Sequence, residues 1–285
     1  MQIIKTIPDM ISFLEQIRSK PKQKNDLASI GFVPTMGYLH NGHLSLVEKA
    51  RKENNTIVVS IFVNPLQFGK SEDLDRYPRD LERDIAMLSE YKVDAVFCPD
   101  HKSMYPEGYK TYVEVSYFSK MYCGKTRLGH FKGVTTAVIK LINIISPTNI
   151  YVGEKDFQQA FILKKMVADL NIQTEVVMCP IVRESDGLAM SSRNTYLSEE
   201  ERKNALCLYK AVKLAKLSFK TGLTGVVTIR NKMVKLIEEN NGVVEYIAFI
   251  NEKTFKCVNA VKKDTRVIIA VKIGKTRLID NISMR

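Results

Sequence analysis

Residues 29–43 read SIGFVPTMGYLHNGH, and residues 56–63 read TIVVSIFV. The first stretch opens on a short apolar run stopped by Pro34. It then crosses a polar, glycine-bearing turn into a helical pattern after His43, with Leu44, Val47 and Ala50 three residues apart. The second stretch is β-branched and apolar on both faces, as a strand buried inside a parallel sheet reads. Working outward, Leu81, Ile85 and Leu88 make one helical stripe, and residues 93–98 form a strand closed by Pro99. Residues 133–146 form a helix with Val134, Val138, Leu141 and Ile145 on one face. A strand at 149–152, a helix at 157–170 and a strand at 174–179 follow. Strands alternating with helices at this spacing predict an α/β fold, a Rossmann-like doubly wound parallel sheet, over residues 1–184. Ligands of such sheets bind beyond the carboxyl ends of the strands, so the turns after each strand matter most.

The pattern changes after 184. Ser198 with Glu201 is a capping box opening a helix to about Lys220. A second helix near 228–240 and strand runs at 243–250 and 266–272 complete a small α+β domain, 185–285, which reads as a lid. It holds 19 of the 43 basic side chains and only 10 of the 31 acidic ones. That balance suits a nucleic-acid surface, a solvated lysine face or a lid over an anionic substrate. A nucleic-acid surface calls for aromatics interleaved with the basic residues. Tyr209, Phe219, Tyr246, Phe249 and Phe255 are spaced for core faces instead, so no nucleic-acid partner is expected. No apolar run approaches the roughly 18 residues of a membrane helix. Met1 to Lys5 does not open a secretory signal. Five scattered cysteines, never in a CxxC pair, read as reduced thiols. The expected address is cytoplasmic, away from any membrane.

His40 and His43, separated by Asn41-Gly42, sit at the first strand-to-helix turn. Gly37 and Gly42 let the backbone turn tightly, and a helix N-terminus supplies N–H donors for a phosphate. A metal pair or two incidental surface histidines are the other readings, and placement at the strand end favours the phosphate. A zinc site wants further ligands, and only His101 and His130 remain, without clustered cysteines. Similar polar turns follow other strands: Asn64 to Gly69, Gly153-Glu154-Lys155-Asp156 with Gln158 and Gln159 just beyond, and Arg183 to Asn194. Lys155 offers a mobile cation, and Ser191-Ser192-Arg193 offers hydroxyls and a fork of donors for phosphate oxygens.

Taken in order, PTMGYLHNGH, FVNPLQFG, YPRDLERD, GHFKGVTT, VGEKDFQQ, RESDGLAMSSRNTYLS and KTRLIDN resemble the motifs of the pantothenate synthetases. That family belongs to the nucleotidyltransferase superfamily, with the class I aminoacyl-tRNA synthetases. The resemblance spans essentially the whole chain. It implies ATP-dependent condensation of (R)-pantoate with β-alanine to pantothenate, AMP and pyrophosphate, through an enzyme-bound pantoyl adenylate. It implies ATP contacts at Met36, Gly37, Tyr38, Leu39, His40, Asn41, Gly42 and His43. Further ATP contacts are implied at Gly153, Glu154, Lys155, Asp156, Val182, Met190, Ser191, Ser192 and Arg193. His40, His43 and Lys155 are the implied catalytic groups, with His43 as proton donor. Gln67 and Gln159 would hold pantoate, with Gln67 bordering the β-alanine path. Mg²⁺ would arrive on the ATP phosphates, its protein ligands unassigned, and a homodimer is implied. Tyr38 stands where relatives often have a small residue, Leu128 where a proline is usual, and Thr148 where an aspartate is common. Arg83 precedes Asp84 where a carboxylate pair is common. A cytidylyltransferase shares the His-x-Gly-His logic, but a phosphate substrate calls for arginine or lysine where the two neutral glutamines stand.

Overall fold

Residues alternate across a strand, and in this sheet both sets are apolar because helices cover both faces. The computed structural model describes residues 1–19, 29–69 and 72–285. Its first unit comprises Met1–Glu154 and Gln158–Cys179. Here Gln2–Ile4 (β1), Ile30–Thr35 (β2), Thr56–Ile61 (β3), Ala95–Phe97 (β4), Asn149–Gly153 (β5) and Glu175–Cys179 (β6) form one sheet in the order β1-β4-β3-β2-β5-β6. Every pairing is parallel. Phe32 and Val58 face one layer, with Ile7–Ser19 (α1), His130–Ile145 (α6) and Phe157–Asp169 (α7). Val33, Ile57 and Val59 face the other, with Asn41–Glu53 (α2) and Leu81–Ser89 (α3). The short helices His101–Met104 (α4) and Cys123–Thr126 (α5) lie in the connection before α6. This is the expected doubly wound sheet. The order reverses between β2 and β5, so the crevice beyond their carboxyl ends is the switch point where ligands of such sheets bind.

The second unit comprises Pro180–Arg285 and Lys155–Phe157. Glu199–Lys220 (α8) starts at the predicted capping box, with Ser198 Oγ accepting from the Glu201 N–H and Glu201 answering to the Ser198 N–H. With Val226–Glu238 (α9) it packs on the antiparallel strands Gly242–Asn251 (β7), Thr265–Ile273 (β8) and Thr276–Ser283 (β9). Phe249 and Phe255 are fully buried, and Tyr209 and Phe219 pack against the same core. All five cysteines are free thiols.

Three differences from the expected elements have physical causes. The helix expected after His43 begins at Asn41 because the His40 side chain caps it. The helix expected from 133 begins at His130, launched by Gly129 at φ 81°. Strands β1 and β9 carry too short or too polar a pattern to be read alone. Parallel pairing with β4 defines the first, and antiparallel pairing with β8 the second.

A 3-10 turn at Pro65–Gln67 packs on α6 at Gly133, whose carbonyl accepts from Asn64 Nδ2 at 3.0 Å. A Cβ at 133 would lie 2.2 Å from the Leu66 carbonyl oxygen and 2.5 Å from the Gln67 nitrogen. Glycine to alanine in a helix interior normally gains about 1 kcal/mol. Here overpacking against backbone, costing about 1–3 kcal/mol, outweighs it. Gly133→Ala therefore lowers the thermal unfolding midpoint followed by circular dichroism, and a raised midpoint would contradict this packing.

Candidate active site

Between β2 and α2 the chain turns through Gly37 (φ 82°) and Tyr38 (φ 50°), both in the left-handed region. Glycine takes that region freely, but tyrosine does so at a cost. The carboxylate of Asp84, in α3, holds the turn. Its Oδ2 accepts from the Tyr38 N–H and its Oδ1 from the Leu39 N–H, each at 2.7 Å. Asp84 is buried, and burial pushes its pKa up against the pull of those two N–H groups and of Arg83. A Cβ at 37 would lie 3.1 Å from Asp84 Oδ2, so a side chain there would crowd the carboxylate as well as strain the positive φ. Arg83 closes the other side. Its Nη2 donates to the Leu39 carbonyl at 3.0 Å, and its guanidinium lies 4.8 Å from the Tyr38 ring centroid. Tyr38 and Arg83 thus stack on each other.

His40 is the N-cap of α2, and His43 sits in its first turn. His40 Nδ1 accepts from the Gly42 N–H at 3.1 Å, and His43 Nδ1 accepts from the His40 N–H at 3.4 Å. A neutral imidazole that accepts at Nδ1 carries its hydrogen on Nε2. The rings lie 4.0 Å apart, so two Nε2–H donors stand side by side. The helix start does not offer all its backbone donors to a ligand, as the sequence reading expects. The N–H groups of His40 and Gly42 are already engaged by the imidazoles. Gly42 lies within the helix and outside the positive-φ set, so Gly37 alone of the two glycines makes the tight turn.

Gln67 closes the 3-10 turn after β3. Its Oε1 accepts from Asn64 Nδ2 at 3.1 Å, and its Nε2 donates to Met36 Sδ at 2.8 Å. Asn64 is itself fixed, because Tyr105 Oη donates to its Oδ1 at 2.8 Å. These bonds set which end of the Gln67 amide is oxygen. The Gln67 carbonyl pairs with His130 Nδ1 at 2.9 Å, and Arg127 joins His130 to Glu72. Arg127 meets Glu72 with two bonds, Nε–Oε1 2.8 Å and Nη2–Oε2 2.6 Å. Burial pushes the Glu72 pKa up, but the Arg127 bonds outweigh it and hold the carboxyl below its usual range. Sequence reasoning assigned no role to Asn64, Tyr105, Glu72, Arg127 or His130. The motifs FVNPLQFG and GHFKGVTT contain Asn64 and His130, whereas Tyr105, Glu72 and Arg127 lie outside them. Of the adjacent glutamines in α7, Gln158 is spent on the neighbouring loop, donating to Phe118 and Met121 carbonyls and accepting from the Cys123 N–H. Half-buried Gln159 makes no such bond to the described residues.

In the second unit Lys155 Nζ lies 3.1 Å from Asp156 Oδ2. Gly153 just ahead, at the end of β5 in the first unit, has open space where a Cβ would stand. Residues 182–190 form a tight hairpin: the Met190 N–H donates to the Val182 carbonyl at 3.0 Å, and Gly187 turns at φ 99°. Arg183 pairs with Asp280 through two bonds of 2.7 and 2.8 Å, and Arg202 reaches Glu184 and Asp186 at 2.7 Å each. Ser191 caps the 3-10 turn Ser192–Tyr196, accepting from the Arg193 N–H at 3.3 Å. Within each unit, then, the predicted residues come together: Met36 to His43 with Gln67 in the first, and Lys155, Val182 and Met190 to Arg193 on segments tied to each other or to β9 in the second.

Among the described residues no three His, Cys, Asp or Glu side chains group as a metal site. No helix among them is long and apolar enough to cross a membrane. The pantoate-beta-alanine ligase family model matches residues 2–283. A pantothenate synthetase of Acetivibrio thermocellus is 52% identical over 283 residues, covering 99% of both chains. The crystal structure of pantothenate synthetase from Thermus thermophilus superposes with a TM-score of 0.89 at 41% identity, over 100% of this chain and 99% of that one. A pantoate-beta-alanine ligase from Francisella tularensis, complexed with beta-gamma ATP and beta-alanine, gives 0.82 at 37% identity, over 100% and 98%.

Asp84→Asn turns an amide nitrogen toward one of the two N–H donors it now satisfies. Leaving such a buried donor unpaired costs about 1–3 kcal/mol. The variant should exchange the Tyr38 and Leu39 amide hydrogens faster than wild type, read by mass spectrometry of the peptide that holds them. Unchanged exchange would show that the carboxylate does not hold this turn.

Proposed function

The chain belongs to the pantoate-beta-alanine ligase family, and from that premise we propose how its residues divide the work. It is a pantothenate-forming ligase, joining pantoate to β-alanine. A carboxylate and an amine do not condense unaided in neutral water. In our reading the pantoate carboxylate attacks the ATP α-phosphate in line, expelling pyrophosphate and leaving bound pantoyl adenylate. The β-alanine amine then attacks the acyl carbon, forms the amide, loses a proton and releases AMP. The protein contributes position and charge stabilisation. The paired Nε2–H donors of His40 and His43 carry this assignment, because they suit an oxyanion whose charge grows during transfer. His43 fills the proton-donor role by donating its Nε2–H in a hydrogen bond to the charge that develops on the phosphate oxygens, and Lys155 adds a cation for the α-phosphate.

Met36 to Asn41, Gly42, Gly153, Glu154, Asp156, Val182 and Met190 line ATP in this reading, with Ser191, Ser192 and Arg193 on its outer phosphates. Residues 185–285 act as the lid over it, with 1–184 as the nucleotide and substrate domain. Gln67 and Gln159 hold pantoate. The ordered amide of Gln67 and the uncommitted amide of Gln159 support that choice, since a hydroxy acid needs neutral donors and acceptors. The two oxygens of Asp84 accept from backbone N–H groups, and no carboxylate cluster stands among the described residues. We therefore read Mg²⁺ as part of the ATP substrate and route no step through a protein metal site. The family resemblance supports a homodimer, and the five free thiols support a reducing, cytoplasmic setting.

Pyrophosphate release should require pantoate, reach one equivalent in a single turnover without amine, and become catalytic when β-alanine is added. Release without pantoate would overturn the adenylate route. Gln67→Ala and Gln159→Ala should weaken pantoate by about 1–3 kcal/mol while sparing ATP, measured by titration calorimetry. Equal losses for both ligands would remove the glutamines from the pantoate site. Lys155→Ala should lower kcat and kcat/KM together by on the order of 10²–10³, with a modest change in the KM for ATP. A change in KM alone would make Lys155 a binding residue only.

A further inference from the structure

The KTRLIDN motif at the end of the chain has no part in the roles assigned so far, yet two of its side chains are buried to 2% exposure: Asp280 and Asn281, adjacent on β9. Asn281 Nδ2 donates to the main-chain carbonyl of Lys155 at 3.0 Å. Its Oδ1 accepts from Arg266 Nη1 at 2.6 Å. A guanidinium only donates, so Oδ1 must face Arg266 and the amide nitrogen must face Lys155. Arg266 is buried and held in turn, with Nε on Glu252 Oε1 at 3.0 Å and its guanidinium 4.3 Å from the Phe157 ring centroid. Beside it, Asp280 grips Arg183 through two bonds and takes the Asn281 N–H at 2.7 Å. This stretch of β9 is therefore locked on one side to the 182–190 hairpin and on the other to the turn that carries Lys155.

We propose that Asn281 is a positioning residue for Lys155. The Lys155 turn is a single 3-10 turn, Glu154–Asp156, too short to hold its own direction. Fixing the Lys155 carbonyl restricts the peptide plane on that residue, and with it the direction in which the side chain leaves the backbone. The Asp156 carboxylate at 3.1 Å restrains the far end of the same side chain. A long, flexible lysine is thereby held at both its root and its tip. This rests on the catalytic reading of Lys155 given above.

The informative substitution is Asn281→Asp. It keeps the size and an acceptor for Arg266, but it sets an oxygen against the Lys155 carbonyl in place of a donor. We expect kcat for pyrophosphate release to fall, by up to about 10²-fold for a displaced reacting group, with less change in the KM for ATP. Made on top of Lys155→Ala, the same substitution should lower kcat no further, because the group it positions is gone. A full additional loss in the double variant would overturn the proposal, since Asn281 would then act elsewhere. Wild-type kcat in Asn281→Asp would overturn it too. The Lys155→Ala single variant separates the two levels: if it alters only KM, the assignment of Lys155 itself falls, and the positioning role falls with it. Asn281→Ala, checked by circular dichroism, repeats the comparison without the added charge.

Discussion

A parallel sheet buried on both faces confines polar chemistry to its ends. Val33, Ile57, Val58, Val59 and Val96 have no exposed surface. A charged or reactive side chain on either face of β2, β3 or β4 would sit in the core and need a partner there. One polar group that does enter the layer is well partnered: the Tyr151 hydroxyl accepts from Asn54 and donates to Glu53. Everything assigned to substrate in the first unit stands on a segment leaving a strand or just inside the following helix. Burial, in both units, also bears on the thiols. It pushes Cys98, Cys179 and Cys207 up to about 11, which makes them poor nucleophiles and fits a route without a thioester.

One device recurs where the chain leaves those strand ends. A side chain with two polar ends spends one on the backbone or on a fixed neighbour, and so orients the other. His40 and His43 accept backbone N–H groups at Nδ1, which places hydrogen on Nε2. Gln67 accepts from Asn64, which fixes its amide. Within β9 of the second unit, Asn281 works the same way, accepting from Arg266 and donating to the Lys155 carbonyl. Pre-organisation of this kind reduces the rotational freedom a ligand would otherwise have to freeze.

The turn at Gly37 and Tyr38 shows how a local departure is absorbed. A tyrosine at positive φ is strained, yet its N–H is held by buried Asp84 and its ring is covered by Arg83. Arg83 and Asp84, neighbours in α3, form a clamp of opposite charges around the backbone of residues 38 and 39. Asp84 sits in that clamp as a structural anion, its oxygens directed at peptide N–H groups.

The apolar runs at 29–33 and 56–63, with their helical neighbours, determined the parallel α/β sheet, because burial on both faces demands a continuous apolar pattern. The capping box at Ser198 determined where α8 starts, since its bonds lie within four residues. The turns after β2, β3 and β5 marked the candidate site because strand ends are where such sheets expose polar groups. Tertiary structure alone decided the rest. The polar strand β9 exists because β8 pairs with it. Gln158 and Gln159 are identical in sequence and opposite in use, because only one faces the carbonyls of 118 and 121. Asp84 lies more than forty residues from the turn it holds, and Asn281 more than a hundred from Lys155. Contacts so distant along the chain leave no periodicity or local propensity to read, for only folding brings the donor to its acceptor.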